Sequence, residues 1–249
     1  PTVVALSPMF TDDSSLWVGC EDGAVFASED RGLTWSELTL EVDVPIEQEI
    51  QGLVAVSPVD LLAITADHGV LCSFDAGESW DLCDDGIPEQ TPQFSSGWGH
   101  YRRLAQPPDA PLPVALASWQ GLVISGDGET WQESCTLLPT YVRALALSPG
   151  WPSDRTIWIG SYGSGLYRSE DAGDTWTVIA DELPGLHEID LAVSPSYPAD
   201  PFLLLLTNRR IQRSEDGGET WLRPDVPAVE AVHRVVLSPR FAVNGVALA

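Results

Sequence analysis

Short apolar runs alternate along the chain with polar, glycine-containing turns, and the alternation itself repeats. Val25-Phe26-Ala27, Val70-Leu71-Cys72, Leu122-Val123-Ile124, Leu166-Tyr167-Arg168 and Ile211-Gln212-Arg213 each precede a polar stretch that ends in tryptophan, and a second run starts at that tryptophan. Short runs bounded by Ser, Asp and Gly predict strands joined by tight turns.

The turn is one recurring phrase. Its fullest form is Ser214-Glu215-Asp216-Gly217-Gly218-Glu219-Thr220-Trp221; it recurs at 28–35, 73–80 and 169–176, and one residue shorter at 125–131. The Asp carboxylate can accept backbone N–H groups a few residues on, the Gly can take positive φ, and the indole seats the turn on the body. The residues that carry this clasp are Asp30 with Trp35, Asp75 with Trp80, Asp127 with Trp131, Asp171 with Trp176 and Asp216 with Trp221. The tryptophans stand 45, 51, 45 and 45 residues apart, a period at which each unit must bury its core against its neighbours.

A second phrase opens each unit: Leu6-Ser7-Pro8, Val56-Ser57-Pro58, Leu147-Ser148-Pro149, Val193-Ser194-Pro195 and Leu237-Ser238-Pro239, with Gln106-Pro107-Pro108 as a degenerate copy. An apolar strand precedes each, and proline ends its pairing. The first unit thus reads as strand A (3–6), strand B (16–20), strand C (25–28), clasp and strand D (35–40). The fold class is all-β, with four-stranded antiparallel units at about 2–43, 49–90, 98–139, 140–185 and 186–227 and a partial sixth at 228–249, in one domain over 1–249. No complementary C and D strands precede Thr2, so an incomplete chain is expected.

The 249 residues suffice for a substantial core. No apolar stretch approaches the roughly 20 residues of a membrane helix, so membrane insertion is not expected. The 37 acidic and 12 basic residues leave a formal charge of −25, and every basic residue is arginine. Such a field repels nucleic acid and anionic membranes. An arginine-favouring bacterial or archaeal genome and a salt-adapted organism both fit this composition. Cys20, Cys72, Cys83 and Cys135 form no CxxC pair; Cys72 and Cys83 flank one clasp at a diagonal offset, and buried free thiols are expected. His68, His100, His187 and His233 are isolated, so neither metal nor cofactor is expected.

Three copies of Ser-x-Asp-x-Gly-x-Thr-Trp, a fourth with Ser79 at the Thr position and a fifth one residue shorter, all in register, resemble the Asp-box, or BNR repeat, of sialidase-like and related β-propellers. The resemblance implies a propeller with the boxes at the periphery between strands C and D, and about six to eight blades would fit a completed version of this chain. It also favours an exported or cell-surface location. In that architecture the D-to-A and B-to-C connections share the face around the channel mouth. Aligning strands A on their prolines puts Arg102 level with Arg143, and Arg103 level with Arg234. Guanidinium groups there suit carboxylate or phosphate recognition. The B-to-C loops add Glu21, Asp22, His68, Trp119, Tyr162, Asn208, Arg209 and Arg210, and the stretched connection 86–100 adds Trp98. Pairing of these arginines with Glu47, Glu49, Glu188 or Asp190 is the alternative.

The sialidase arginine motif, Phe/Tyr-Arg-Ile-Pro, is approached only by Tyr101-Arg102-Arg103-Leu104, which lacks Ile-Pro. Xyloglucanase-like relatives place paired catalytic Asp residues in a cleft between two propellers, and one propeller offers no such pair to choose. Photosystem II assembly propellers use an arginine-rich patch to hold protein partners, which Arg102, Arg143 and Arg234 echo sparsely. The expected function is a non-catalytic recognition scaffold for a protein or glycan partner, with a glycoside hydrolase as the competing class.

Overall fold

The computed structural model describes residues 1–38, 49–65, 69–87, 101–107, 112–118, 121–134, 142–161, 165–180, 189–207, 210–224 and 234–248. The strands pair antiparallel and in chain order. The first sheet is β1 (Val3–Leu6), β2 (Leu16–Gly19), β3 (Val25–Ser28) and β4 (Ser36–Leu38). The second is β5 (Ile50–Ala55), β6 (Leu61–Thr65), β7 (Gly69–Ser73) and β8 (Asp81–Leu82); the third is β9 (Tyr101–Ala105), β10 (Val114–Ser118), β11 (Gly121–Ser125) and β12 (Gln132–Ser134). The fourth is β13 (Val142–Leu147), β14 (Ile157–Ser161), β15 (Gly165–Ser169) and β16 (Thr177–Ala180). The fifth has β17 (Ile189–Val193), β18 (Leu203–Thr207) and β19 (Arg210–Ser214), and the sixth has β20 (Val236–Leu237) and β21 (Ala247–Leu248). At the outer edge of the fifth sheet a single bridge pairs Arg213 with Leu222. Pro224 lacks the N–H that would extend the pairing.

The chain divides into two compact units, Pro1–Glu133 and Ser134–Ala249. Within each, one strand's alternation serves two cores. All five residues of β6 are buried, because Leu61 and Ala63 join the core shared with the first sheet while Leu62 and Ile64 join the core shared with the third. In the second unit Leu203 and Leu205 of β18 pack with Trp158 and Leu166 of the fourth sheet, while Leu204 and Leu206 pack with Val235 beside the sixth. The continuous apolar run at 202–206 therefore supplies most of β18, a strand sandwiched on both faces. Clasp glycines make the same contacts possible at the periphery. Gly77 (φ +98°) and Gly218 (φ +99°) leave the space into which Leu38 and Ile179 of the preceding sheets project.

The connection from strand A to strand B carries its own lock. The Ser7 hydroxyl donates to Asp13, Ser57 to Asp60 (2.8 Å), Ser148 to Asp154 and Ser194 to Asp200 (2.6 Å). At the sixth copy Asn244 stands in the Asp position and donates to the Ser238 hydroxyl oxygen at 3.0 Å. Two four-residue helices, α1 (Phe10–Asp13) and α2 (Phe241–Asn244), form inside these connections.

The cysteine expectation is corrected. Cys72 and Cys83 form a disulfide with their Cα atoms 5.8 Å apart. Cys72 lies opposite Asp81, so the bridge is diagonal, as the spacing suggested, yet close enough to close. Cys20 is a free, half-buried thiol, and Cys135 lies outside the described residues.

Candidate functional site

The clasps close by hydrogen bonds contained in the phrase itself. In the fifth, the Ser214 hydroxyl donates to Asp216 Oδ1 at 2.7 Å and accepts the Gly218 N–H at 2.8 Å. Asp216 Oδ1 also accepts the Thr220 N–H at 2.9 Å, and Oδ2 accepts the Thr220 hydroxyl. The same pattern surrounds Asp30, Asp75, Asp127 and Asp171. Donated hydroxyl and backbone hydrogen bonds stabilise the carboxylate form. The hydroxyls of Thr34, Ser79, Thr175 and Thr220, each followed by its own N–H, lower Asp30, Asp75, Asp171 and Asp216 to about 2. The Thr130 N–H and then its hydroxyl lower Asp127 further. These carboxylates are ionised and occupied in closing turns, which suits them neither to general acid work nor to nucleophilic attack.

The indoles seat the clasps in two ways. Trp35, Trp80 and Trp176 donate to carbonyls of their own turns, those of Gly32, Gly77 and Gly173, at 3.0, 3.0 and 2.9 Å. Trp131 and Trp221 reach instead to the outer edge of the preceding sheet, at Cys83 O (2.9 Å) and Ile179 O (3.3 Å).

At the opposite end of the sheets, where strand A begins and strand C follows the B-to-C connection, the arginines fall on irregular backbone. The register of β13 on β14 shifts between Val142 and Ala144, which puts Arg143 in a β-bulge. The pairing of β9 skips Arg102 in the same way, and that of β5 skips Gln51. A bulge re-aims its side chain out of the strand's alternation. The proline alignment thus levelled Arg102 and Arg143 without revealing that both are bulged. In the second unit Arg143 is half-buried, whereas Arg210, the first residue of β19, and Arg234, just before β20, are exposed. Their register places all three at the same end of that unit's sheets. Asp190 Oδ2 accepts the Val235 N–H at 2.8 Å and so fixes the backbone next to Arg234. In the first unit Glu21 and Asp22 are exposed in the turn from β2 to β3, and Asp22 caps the Ala24 N–H at 3.3 Å. Trp98, Trp119, Tyr162, Arg209, Asn208, His68 and His100 lie outside the described residues, as do Glu47 and Glu188.

A cationic site at the clasp end escaped sequence reasoning. Arg168 Nη1 donates to Gly217 O at 2.9 Å, Nη2 to Glu219 Oε1 at 2.8 Å, and Nε lies 3.3 Å from Glu170. Only 14% of its side chain is exposed. The position directly before each clasp serine carries the signal, Ala27, Cys72, Ile124, Arg168 and Arg213, but nothing in one sequence says that an arginine there reaches the next sheet.

Among the described residues, no cluster of three or more His, Cys, Asp or Glu side chains could hold a metal ion. No helix among them is long and apolar enough to cross a membrane.

No protein-family model matches the chain. It is 23% identical over 202 residues to the photosystem II assembly lipoprotein Ycf48 of Synechococcus sp. (strain CC9902), covering 68% of this chain and 60% of that protein. It is also 23% identical over 172 residues to an oligoxyloglucan-reducing end-specific xyloglucanase of Emericella nidulans, covering 64% of this chain and 20% of that enzyme. The chain thus spans less than two thirds of the length of either relative. A solved structure of YCF48 bound to D1 peptide resembles it with a TM-score of 0.67 at 17% identity, over 96% of this chain and 72% of that one. At these identities the likeness speaks for the architecture, and with the sheets described above it makes the chain a β-propeller of four-stranded antiparallel blades.

Proposed function

We propose that this chain is a non-catalytic recognition module that binds a protein partner through the end of its blades where the D-to-A and B-to-C connections lie. The observation that carries the reading is the placement of Arg143, Arg210 and Arg234 at that one end of the second unit, two of them exposed, in a protein whose formal charge is −25. Arginine anchors of this kind suit carboxylate-bearing peptide surfaces. The likeness to a YCF48 structure holding a peptide supports a protein ligand. By their sequence positions Tyr162 and Arg209 belong to the proposed face of the second unit, and Arg102, Trp98 and Trp119 to the corresponding connections of the first; the clasps, built on Asp30, Asp75, Asp127, Asp171 and Asp216 in the manner of Asp-boxes, are the structural frame of each. An exported or cell-surface location accords with the Cys72–Cys83 disulfide.

The test is capture of partners from the native source by the wild-type protein and by an Arg210→Glu/Arg234→Glu variant. A stoichiometric protein partner whose affinity falls about thirtyfold or more in the variant is expected, the size of one arginine hot spot. Equal capture by both proteins would remove the arginine end from the interface.

The second reading, a glycan-directed module or part of a glycoside hydrolase, is favoured by the similarity to the xyloglucanase. Hydrolysis of xyloglucan oligosaccharides by the purified chain would establish it in place of the scaffold.

A further inference from the structure

The third clasp differs from the others in length and in what holds it. Running from Ser125 to Trp131, it is one residue shorter, and its indole donates to Cys83 O at 2.9 Å. The Trp131 backbone N–H donates to Asp85 O, also at 2.9 Å, and the Gly86 backbone lies against the Trp131 carbonyl. The seat of this clasp is therefore the segment Cys83 to Ile87, which follows β8, a strand of two exposed residues. Its ties back to β7 are the Cys83 N–H to Val70 O hydrogen bond of 2.9 Å and the Cys72–Cys83 disulfide. Cys72 is 1% exposed and shares a core with Val123 and Trp131, so the bridge fastens the sheet edge directly to the interior. The second clasp has no such dependence. Trp80 bonds its own turn at Gly77, and Leu38 packs over that glycine.

We propose that the Cys72–Cys83 disulfide is a redox-sensitive lock that holds the third clasp on the second blade. A dithiol reductant opens it by exchange: the S–S bond breaks, two electrons and two protons pass to the cysteines as two thiols, and the reductant closes into its own disulfide. Without the bridge the segment 83–87 keeps the two-residue strand before it, the Cys83 N–H bond to Val70 O and the packing of Ile87 on the core, and the acceptors of Trp131 loosen with it. Release stays local, because the core shared by the first and second sheets contains neither cysteine. The disulfide persists in an oxidising compartment, and entry into a reducing one is the signal that the lock reads.

The test is hydrogen exchange of the intact chain read by mass spectrometry, before and after treatment with a dithiol, with peptide mapping to follow the 72–83 link. Reduction is expected to strip protection from peptides covering 81–87 and 121–134 and to leave those covering 28–38 and 169–180 unchanged. A Cys83→Ser variant should show the loosened pattern with or without reductant, and Cys20→Ser should respond as wild type does. Three results each overturn the proposal: unlinked cysteines in protein prepared without reductant, unchanged protection at 121–134 once both thiols are free, or loss of protection spread evenly over the chain.

Discussion

Two joints between neighbouring blades, one in each unit, use the same register and opposite chemistry. In the first unit Trp17 lies opposite Ala27 and its indole crosses to the second clasp, donating to Ala76 O at 3.0 Å. In the second unit Trp158 lies opposite Arg168, and the carbonyl equivalent to that of Ala76 belongs to Gly217. Arg168 takes that acceptor and adds the Glu219 ion pair. The Trp158 indole N–H, fully buried, is left with no hydrogen-bond acceptor among the described residues. Its ring instead meets Tyr197 edge-on, with centroids 4.8 Å apart, and burial pushes the Tyr197 phenol up. One substitution on strand C, Ala to Arg, thus turns a neutral indole contact into an ionic latch. The repeated phrase sets where blades meet, while residues outside it set how they hold.

The comparison breaks most visibly at the latch. Arg168→Leu should destabilise the second unit by about 1.5–3 kcal/mol, the range for hydrogen bonds to charged groups. Thermal melting reads the loss, and an unchanged melting temperature would mean that the ionic joint contributes nothing net.

A paired substitution sharpens the contrast. Trp17→Phe discards a made hydrogen bond, whereas Trp158→Phe discards an N–H that has no acceptor, so the first should cost about 1–2 kcal/mol more than the second. Denaturant titration of the two variants decides it, and equal costs would erase the distinction. Introducing Ala27→Arg should help chiefly in the Trp17→Phe background, where the Ala76 carbonyl is open; a double-mutant cycle measures that coupling.

Acid should act on both units alike, and most gently. Asp30, Asp75, Asp171 and Asp216 are lowered from 3.8 to about 2 in the folded protein. Their contribution is therefore complete above the unfolded value and is lost as pH falls through the window from about 4 to about 2. Melting temperature followed across that window should decline, with side-chain carboxyl NMR titrations placing the four midpoints near the lower end. A midpoint near 4 at any one of them would show that its clasp is open in solution.

The first sheet was legible almost to the residue. Strands at 3–6 and 25–28 coincide with β1 and β3, and 16–20 overshoots β2 by one position. Its clasp was legible for the same reason, since the partners of Asp30 are Ser28, Leu33 and Thr34, all within four positions. The Ser-Pro phrase was read as a unit marker and strand terminator, although the Asp six positions after Ser7, Ser148 and Ser194 already marked the lock found there. At the arginine end, proline spacing ranked Arg102 with Arg143 but placed Arg103 with Arg234 as if strands A were uniform. The bulges at Arg102 and Arg143, and the absence of any register shift in β17, show that they are not.

What the sequence determined by itself is the frame: strands, clasps and their period, because each clasp is satisfied by hydrogen bonds among neighbours in the chain and forms the same way at every copy. Tertiary structure alone decided the joints. Trp17 meets Ala76 across 59 positions, Arg168 meets Gly217 across 49 and Trp131 meets Cys83 across 48. Contacts of that separation exist only once neighbouring sheets have packed, and which donor takes a shared carbonyl depends on the side chain that burial brings nearest.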